Sequence, residues 1–65
     1  MKYRRIEERN GYKIITTVED SGRYYSHIRY DNGVTGGNQS GNILGNGWKS
    51  LDEYFRNNPG FEVVE

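Results

Sequence analysis

Residues 12–30 read "YKIITTVEDSGRYYSHIRY", and how the two halves of this stretch face each other decides the fold. Asp20-Ser21-Gly22 suits a three-residue hairpin loop, a type I turn closed by a left-handed glycine. That loop sets Val18 opposite Tyr24, Thr16 opposite Ser26, Ile14 opposite Ile28 and Tyr12 opposite Tyr30. Side chains alternate along a strand, so all of these share one face, and nearly all are apolar or small. The other face collects Lys13, Ile15, Thr17, Glu19, Arg23, Tyr25, His27 and Arg29. One register thus yields one dry face and one wet face, and a slip by one residue would exchange them.

Upstream, Asn10-Gly11 is a two-residue hairpin signal whose residues both tolerate positive φ. It opposes Glu8 to Lys13, Ile6 to Ile15 and Lys2 to Glu19, two opposite-charge pairs and one aliphatic pair. Downstream, Asn32-Gly33 turns the chain into a short strand at Val34-Thr35. Residues 34–47 then read as a long Gly/Asn-rich loop without periodicity, pinned to the core edge by Ile43 and Leu44.

The segment "WKSLDEYFRNNPG" predicts one short helix. Ser50 is the N-cap, Glu53 completes a capping box, and Leu51, Tyr54 and Phe55 share a face. Asn57-Asn58-Pro59-Gly60 stops it, and "FEVVE" alternates as a final strand with Phe61 and Val63 inward. The expected fold is α+β: a three- to four-stranded antiparallel β-meander, one short α-helix packed on one face, and a C-terminal strand, all in a single domain over residues 1–65.

Glycines, a lysine and a serine in "GNILGNGWKS" (residues 41–50) invite comparison with a phosphate-binding loop. The spacing is wrong: Trp48 separates Gly47 from Lys49, and Gly41 and Gly45 are too close. Asp52 and Glu53 also occupy the positive end of the helix dipole that an anion would need. The stretch reads as a corner, with Trp48 seating the helix start on the core.

The 65 residues contain no cysteine and one histidine, which excludes a disulfide framework and a thiolate zinc site. The neighbouring carboxylates Glu7-Glu8, Glu19-Asp20 and Asp52-Glu53 are adjacent in sequence and make poor acid–base couples; in a strand such neighbours point to opposite faces. His27 lacks a partner that would make it a catalytic base. The expectation is a protein that is not an enzyme and holds no cofactor or metal. No apolar run reaches bilayer length, and the charged start "MKYRRIEERN" lacks the apolar region of a signal peptide, which sets cytoplasmic as the expected location.

Net charge is zero, yet residues 1–30 carry seven Lys/Arg against four Asp/Glu, and residues 31–65 carry two against five. The basic half supplies the first candidate site, the open sheet face with Arg4, Lys13, Arg23, Tyr25, His27 and Arg29. Rings among guanidinium groups suit either a protein surface or a nucleic-acid strand. The second candidate is the polar loop with Asn38, Gln39, Asn42 and Asn46. The first functional expectation is a small binding protein acting by protein–protein contact, in the style of phage or mobile-element inhibitors of host proteins such as anti-CRISPR proteins. The alternative is a nucleic-acid-binding module using the sheet face. A homodimer through a strand edge is a further expectation, because a chain this short gains core by pairing.

Over residues 12–57, a three-stranded sheet followed by a helix, with basic and aromatic strands, resembles in element order the small AP2-like arm-binding domains of phage integrases. The resemblance implies a sheet face laid on DNA. It is one of architecture, with no shared motif, and assigns no family.

Overall fold

In the computed structural model, which describes all 65 residues, the central hairpin joins strands β2 (Tyr12–Glu19) and β3 (Arg23–Tyr30) in the expected register. Val18 faces Tyr24, Thr16 faces Ser26, Ile14 faces Ile28 and Tyr12 faces Tyr30. Gly22 closes the loop at φ 92°, with its N–H donated to Glu19 O. Strand β1 (Lys2–Arg9) pairs with β2 so that Ile6 meets Ile15, Glu8 meets Lys13 and Lys2 meets Glu19. The turn between them differs from expectation. Only Gly11 has positive φ, so Asn10-Gly11 carries the sign pattern of a type II turn, which needs the left-handed region at its second residue alone.

The main correction lies after Tyr30. The expected loop over residues 34–47 is instead an eight-residue strand, β4 (Thr35–Asn42), antiparallel to β3, followed by a 3-10 turn at Leu44–Asn46. Asp31-Asn32-Gly33 forms a second loop closed by a left-handed glycine, and Tyr30 N–H bonds to Val34 O to start the ladder. A strand so rich in glycine forms because large β3 side chains supply what its own lack. Tyr24 lies over Gly41 and Ile28 lies over Gly37, where there is no Cβ to push them away. A bulge between the Ser26 and Ile28 pairings sets Gly37 and Asn38 against His27 alone.

Helix α1 (Leu51–Asn57) and the two-residue strand β5 (Glu62–Val63), which pairs with β1, complete the chain. The sheet order is β4-β3-β2-β1-β5: a four-stranded meander with the C-terminal strand added beside β1. The fold class is therefore the expected small α+β domain. Over residues 12–57 the chain does run three antiparallel strands and then a helix, the element order of the AP2-like comparison, and β1 and β5 extend that sheet to five strands.

Ser50 caps α1 by accepting from Glu53 N–H at 3.1 Å, while Glu53 Oε2 accepts from Lys49 N–H, one residue earlier than in a standard capping box. The helix packs through aromatic rings: Phe55 against Tyr3 at 4.9 Å and against Phe61 at 5.0 Å, and Trp48 edge-on to Tyr54 at 5.4 Å. Arg5 stacks over Phe61 at 4.9 Å. Phe61 therefore faces inward as expected, whereas Val63 is exposed. Of the two loop anchors, Ile43 is buried and Leu44 is not.

The core is thin. Val18, Ile43, Thr16 and Gly22 are the four buried residues, and the surface of 4633 Å² exceeds the roughly 4,300 Å² typical of a chain this size. The cause lies in the sequence of β1, whose covered-face positions hold Arg5, Glu7 and Arg9 beside Tyr3. Glu7 bridges the two arginines at 3.0 and 2.7 Å, an ionic stripe where a larger domain would carry aliphatics. Tyr30 and Val34, at the β3–β4 turn, are exposed, and the body measures 37 × 21 × 19 Å. No helix is long and apolar enough to cross a membrane.

Candidate functional site

All six residues of the first candidate site lie on the sheet face opposite the helix. Arg4 on β1 pairs with Thr17, which pairs with Tyr25; Lys13 on β2 pairs with Arg29; and Ile15 pairs with His27. Arg23, two residues before Tyr25, belongs to the same face of β3. The register that buries Val18 is what gathers these groups on the other side.

The centre of the face is apolar. Ile6, Ile15 and His27 form one cross-strand row over β1, β2 and β3, and the Tyr25 ring lies 5.5 Å from the His27 ring. Ile6 is 53% exposed and Tyr25 46%, although both are large and could have been buried. The Tyr25 hydroxyl donates to Asn38 Oδ1 at 3.0 Å, which fixes the position of the ring. The His27 ring is half-buried and its Nδ1 has no hydrogen-bond partner. A trough of about 410 Å³ runs beside Ile6, lined by Arg4, Gly60, Glu62 and Val64.

Around this centre the charges are unevenly satisfied. Lys13 reaches Glu8 at 3.7 Å and Lys2 reaches Glu65 at 3.8 Å. Arg4, Arg23 and Arg29 take part in none of the ion pairs. Three guanidinium groups therefore stand free around an aromatic and aliphatic centre, while Glu8, Glu19 and Glu62 limit the net positive potential of the face.

The second candidate group does not form one surface, because β4 splits it. Asn38 lies on the open face against Tyr25. Gln39, paired with Ser26, points to the covered face and lines a hollow of about 220 Å³ with Asn46, Tyr24, Trp48 and Tyr54. Asn42 holds the chain's own turn together: its Oδ1 accepts from Leu44 N–H at 2.9 Å and from Gly45 N–H at 3.3 Å, and its Nδ2 donates to Ser21 O.

One member of the open face escapes a reading of the sequence for site residues. Ile15 already falls on the wet face there, but Ile6 registers only as its cross-strand partner, although a second aliphatic on that face is itself the signal. No group of three or more His, Cys, Asp or Glu side chains is placed to hold a metal ion. No protein-family model matches this chain, and neither a curated protein nor a solved structure is significantly similar to it.

Proposed function

We propose that this is a small non-enzymatic binding protein that acts by laying its open sheet face on another protein, in the manner of the compact antagonists that phages and mobile elements direct at host proteins. The observation that carries the reading is the row of half-buried Ile15 and His27 flanked by the exposed Ile6 and Tyr25, ringed by the unpaired Arg4, Arg23 and Arg29. An apolar and aromatic centre inside a charged rim is the anatomy of a protein interface, and tyrosine and arginine are the types enriched at its strongest contacts. The test is a quantitative pull-down from a host lysate comparing wild type with Tyr25→Ala and Ile6→Asp. A specific protein retained by wild type and by Arg56→Ala, which alters the helix, but lost with both face variants supports the proposal. Retention by all four chains overturns it.

The three free arginines beside the adjoining, tilted Tyr25 and His27 rings favour nucleic acid as the second reading. A labelled oligonucleotide titrated at low salt separates the two. Binding that weakens steeply with salt and with Arg23→Ala and Arg29→Ala supports the second reading, and no binding removes it.

A further inference from the structure

The two edges of the sheet are unlike. The β5 edge is two residues long, whereas β4 offers eight, hydrogen-bonded on one side only. Long edge strands are normally guarded by lysine, other charges or proline. From Thr35 to Asn42 there is no charged residue and no proline, and the only irregularity is the bulge at Gly37-Asn38. Beyond that bulge the strand is regular to its end.

The backbone groups that face outward can be assigned. Ile43 donates its N–H to Gly22 O at 2.8 Å, and this pair continues the register in which Arg23 meets Asn42 and Tyr24 meets Gly41. Successive residues of an antiparallel strand turn their backbone groups to opposite sides. Gly41 and Gln39 therefore bond inward to β3, and Asn42, Ser40 and Asn38 turn their N–H and C=O groups outward.

We infer that this edge pairs, antiparallel, with β4 of a second copy of the chain about a two-fold axis through Ser40. Ser40 then faces Ser40 of the second copy, and Asn38 faces Asn42, so the outward groups of both strands are satisfied mutually. Gln39 falls opposite Gly41. That match selects the register. On the covered face of β4, Gln39 stands between Gly36 and Gly41, and Gly41 is bare beside the Tyr24 ring. Each copy places its one long side chain over the other's bare glycine, next to the hollow lined by Tyr24, Trp48 and Tyr54. An axis through Gln39 would set the two glutamines against each other and draw the bulged Gly37 into the pairing. With no charge on the strand, self-pairing brings no like charges together. The axis is perpendicular to the sheet, so both helices stay on one side and both open faces on the other.

Sedimentation equilibrium of the full chain, and light scattering after gel filtration, test the pairing over a range of concentrations. The mass should rise from 7.6 kDa toward twice that value as concentration increases. Ser40→Pro removes an outward N–H that the monomer does not use, so it should stay at 7.6 kDa and melt like wild type at concentrations where wild type is still monomeric. Ser40→Lys puts two ammonium groups across the axis and should shift dimerisation to higher concentration; it decides the matter if the proline variant does not fold. A wild-type chain that remains monomeric throughout overturns the inference and leaves the edge to a strand of a different protein. Variants that dimerise as tightly as wild type also overturn it, by showing that another surface mediates contact.

Discussion

The Tyr24 ring lies against the bare Cα of Gly41 across the β3–β4 ladder: a Cβ at that position would be 3.0 Å from Tyr24 Cε1. At Gly37 the approach is closer, 2.7 Å to Ile28 Cδ1, and the backbone sits at φ 62°. Gly41→Ala should destabilise the fold by about 1 kcal/mol, because one ring must shift. Gly37→Ala adds left-handed strain to the clash and should cost about 2–3 kcal/mol. Urea unfolding followed by the fluorescence of the single Trp48 measures both, and equal costs at the two positions would contradict this account.

The same pair explains where the fold is legible in the sequence. The central hairpin can be read because Val18, Ile14 and Ile28 carry their own burial signal at period two. β4 cannot, because its contribution to the covered face is mostly the absence of side chains, and the hydrophobic mass above it belongs to β3. One hint does exist: a second loop of the same form, Asp31-Asn32-Gly33, implies a returning strand as long as β3. The candidate face is legible in its charged and aromatic members, since the hairpin register fixes them. In its aliphatic centre Ile15 follows from the same register, whereas Ile6 is easy to pass over because it reads as the partner of Ile15.

The cap of α1 should be worth more than its exposure suggests. The helix has seven residues, too few to persist without its caps and its packing. It presents the rings of Tyr54 and Phe55 that close the core. Ser50→Ala removes the acceptor for Glu53 N–H and should cost about 1 kcal/mol, a drop of roughly 4–8 °C in Tm. Ser50→Asp should restore most of the loss in a thermal scan. If alanine and aspartate behave alike, the cap is not what holds the helix.

Stability should fall at both ends of the pH range through one exposed cluster. The N-terminal ammonium at 2.7 Å, followed by the Tyr3 hydroxyl at 3.1 Å, holds the Asp20 carboxyl below the usual carboxylate range. A depressed folded pKa gives stability that is present above the unfolded value and lost as pH falls through the folded one. The hydrogen bond to Asp20 in turn pushes the Tyr3 phenol upward, with smaller contributions from burial and from Asp20 and Asp52 charge. A raised folded pKa gives stability that is complete below the unfolded value and lost as pH rises through the folded one. Asp20→Asn should flatten part of the acid limb and Tyr3→Phe part of the alkaline limb in urea titrations at fixed pH. Unchanged limbs in both variants would place the titrating groups elsewhere.

Stability and binding should separate cleanly between the two sheet faces. Val18 is wholly buried, and Val18→Ala should cost about 2–3 kcal/mol in stability. Ile6 and Tyr25 keep about half their surface in solvent. Tyr25→Ala gives up one hydroxyl bond to Asn38 and contact with the His27 ring, so it should cost no more than about 1 kcal/mol in stability. In a protein complex, an aromatic anchor at the centre of the face is worth about 2 kcal/mol or more, a loss in affinity of roughly thirtyfold. The free arginines at the rim act differently. Arg29→Ala should change the association rate and its salt dependence more than the dissociation rate. If the partner is nucleic acid, the ranking reverses, and Arg23 and Arg29 outweigh Ile6, which offers a phosphate nothing. Titration calorimetry with the recovered partner, run beside urea unfolding of the same variants, reads both quantities. Tyr25→Ala with full affinity would show that the face is only solvated sheet.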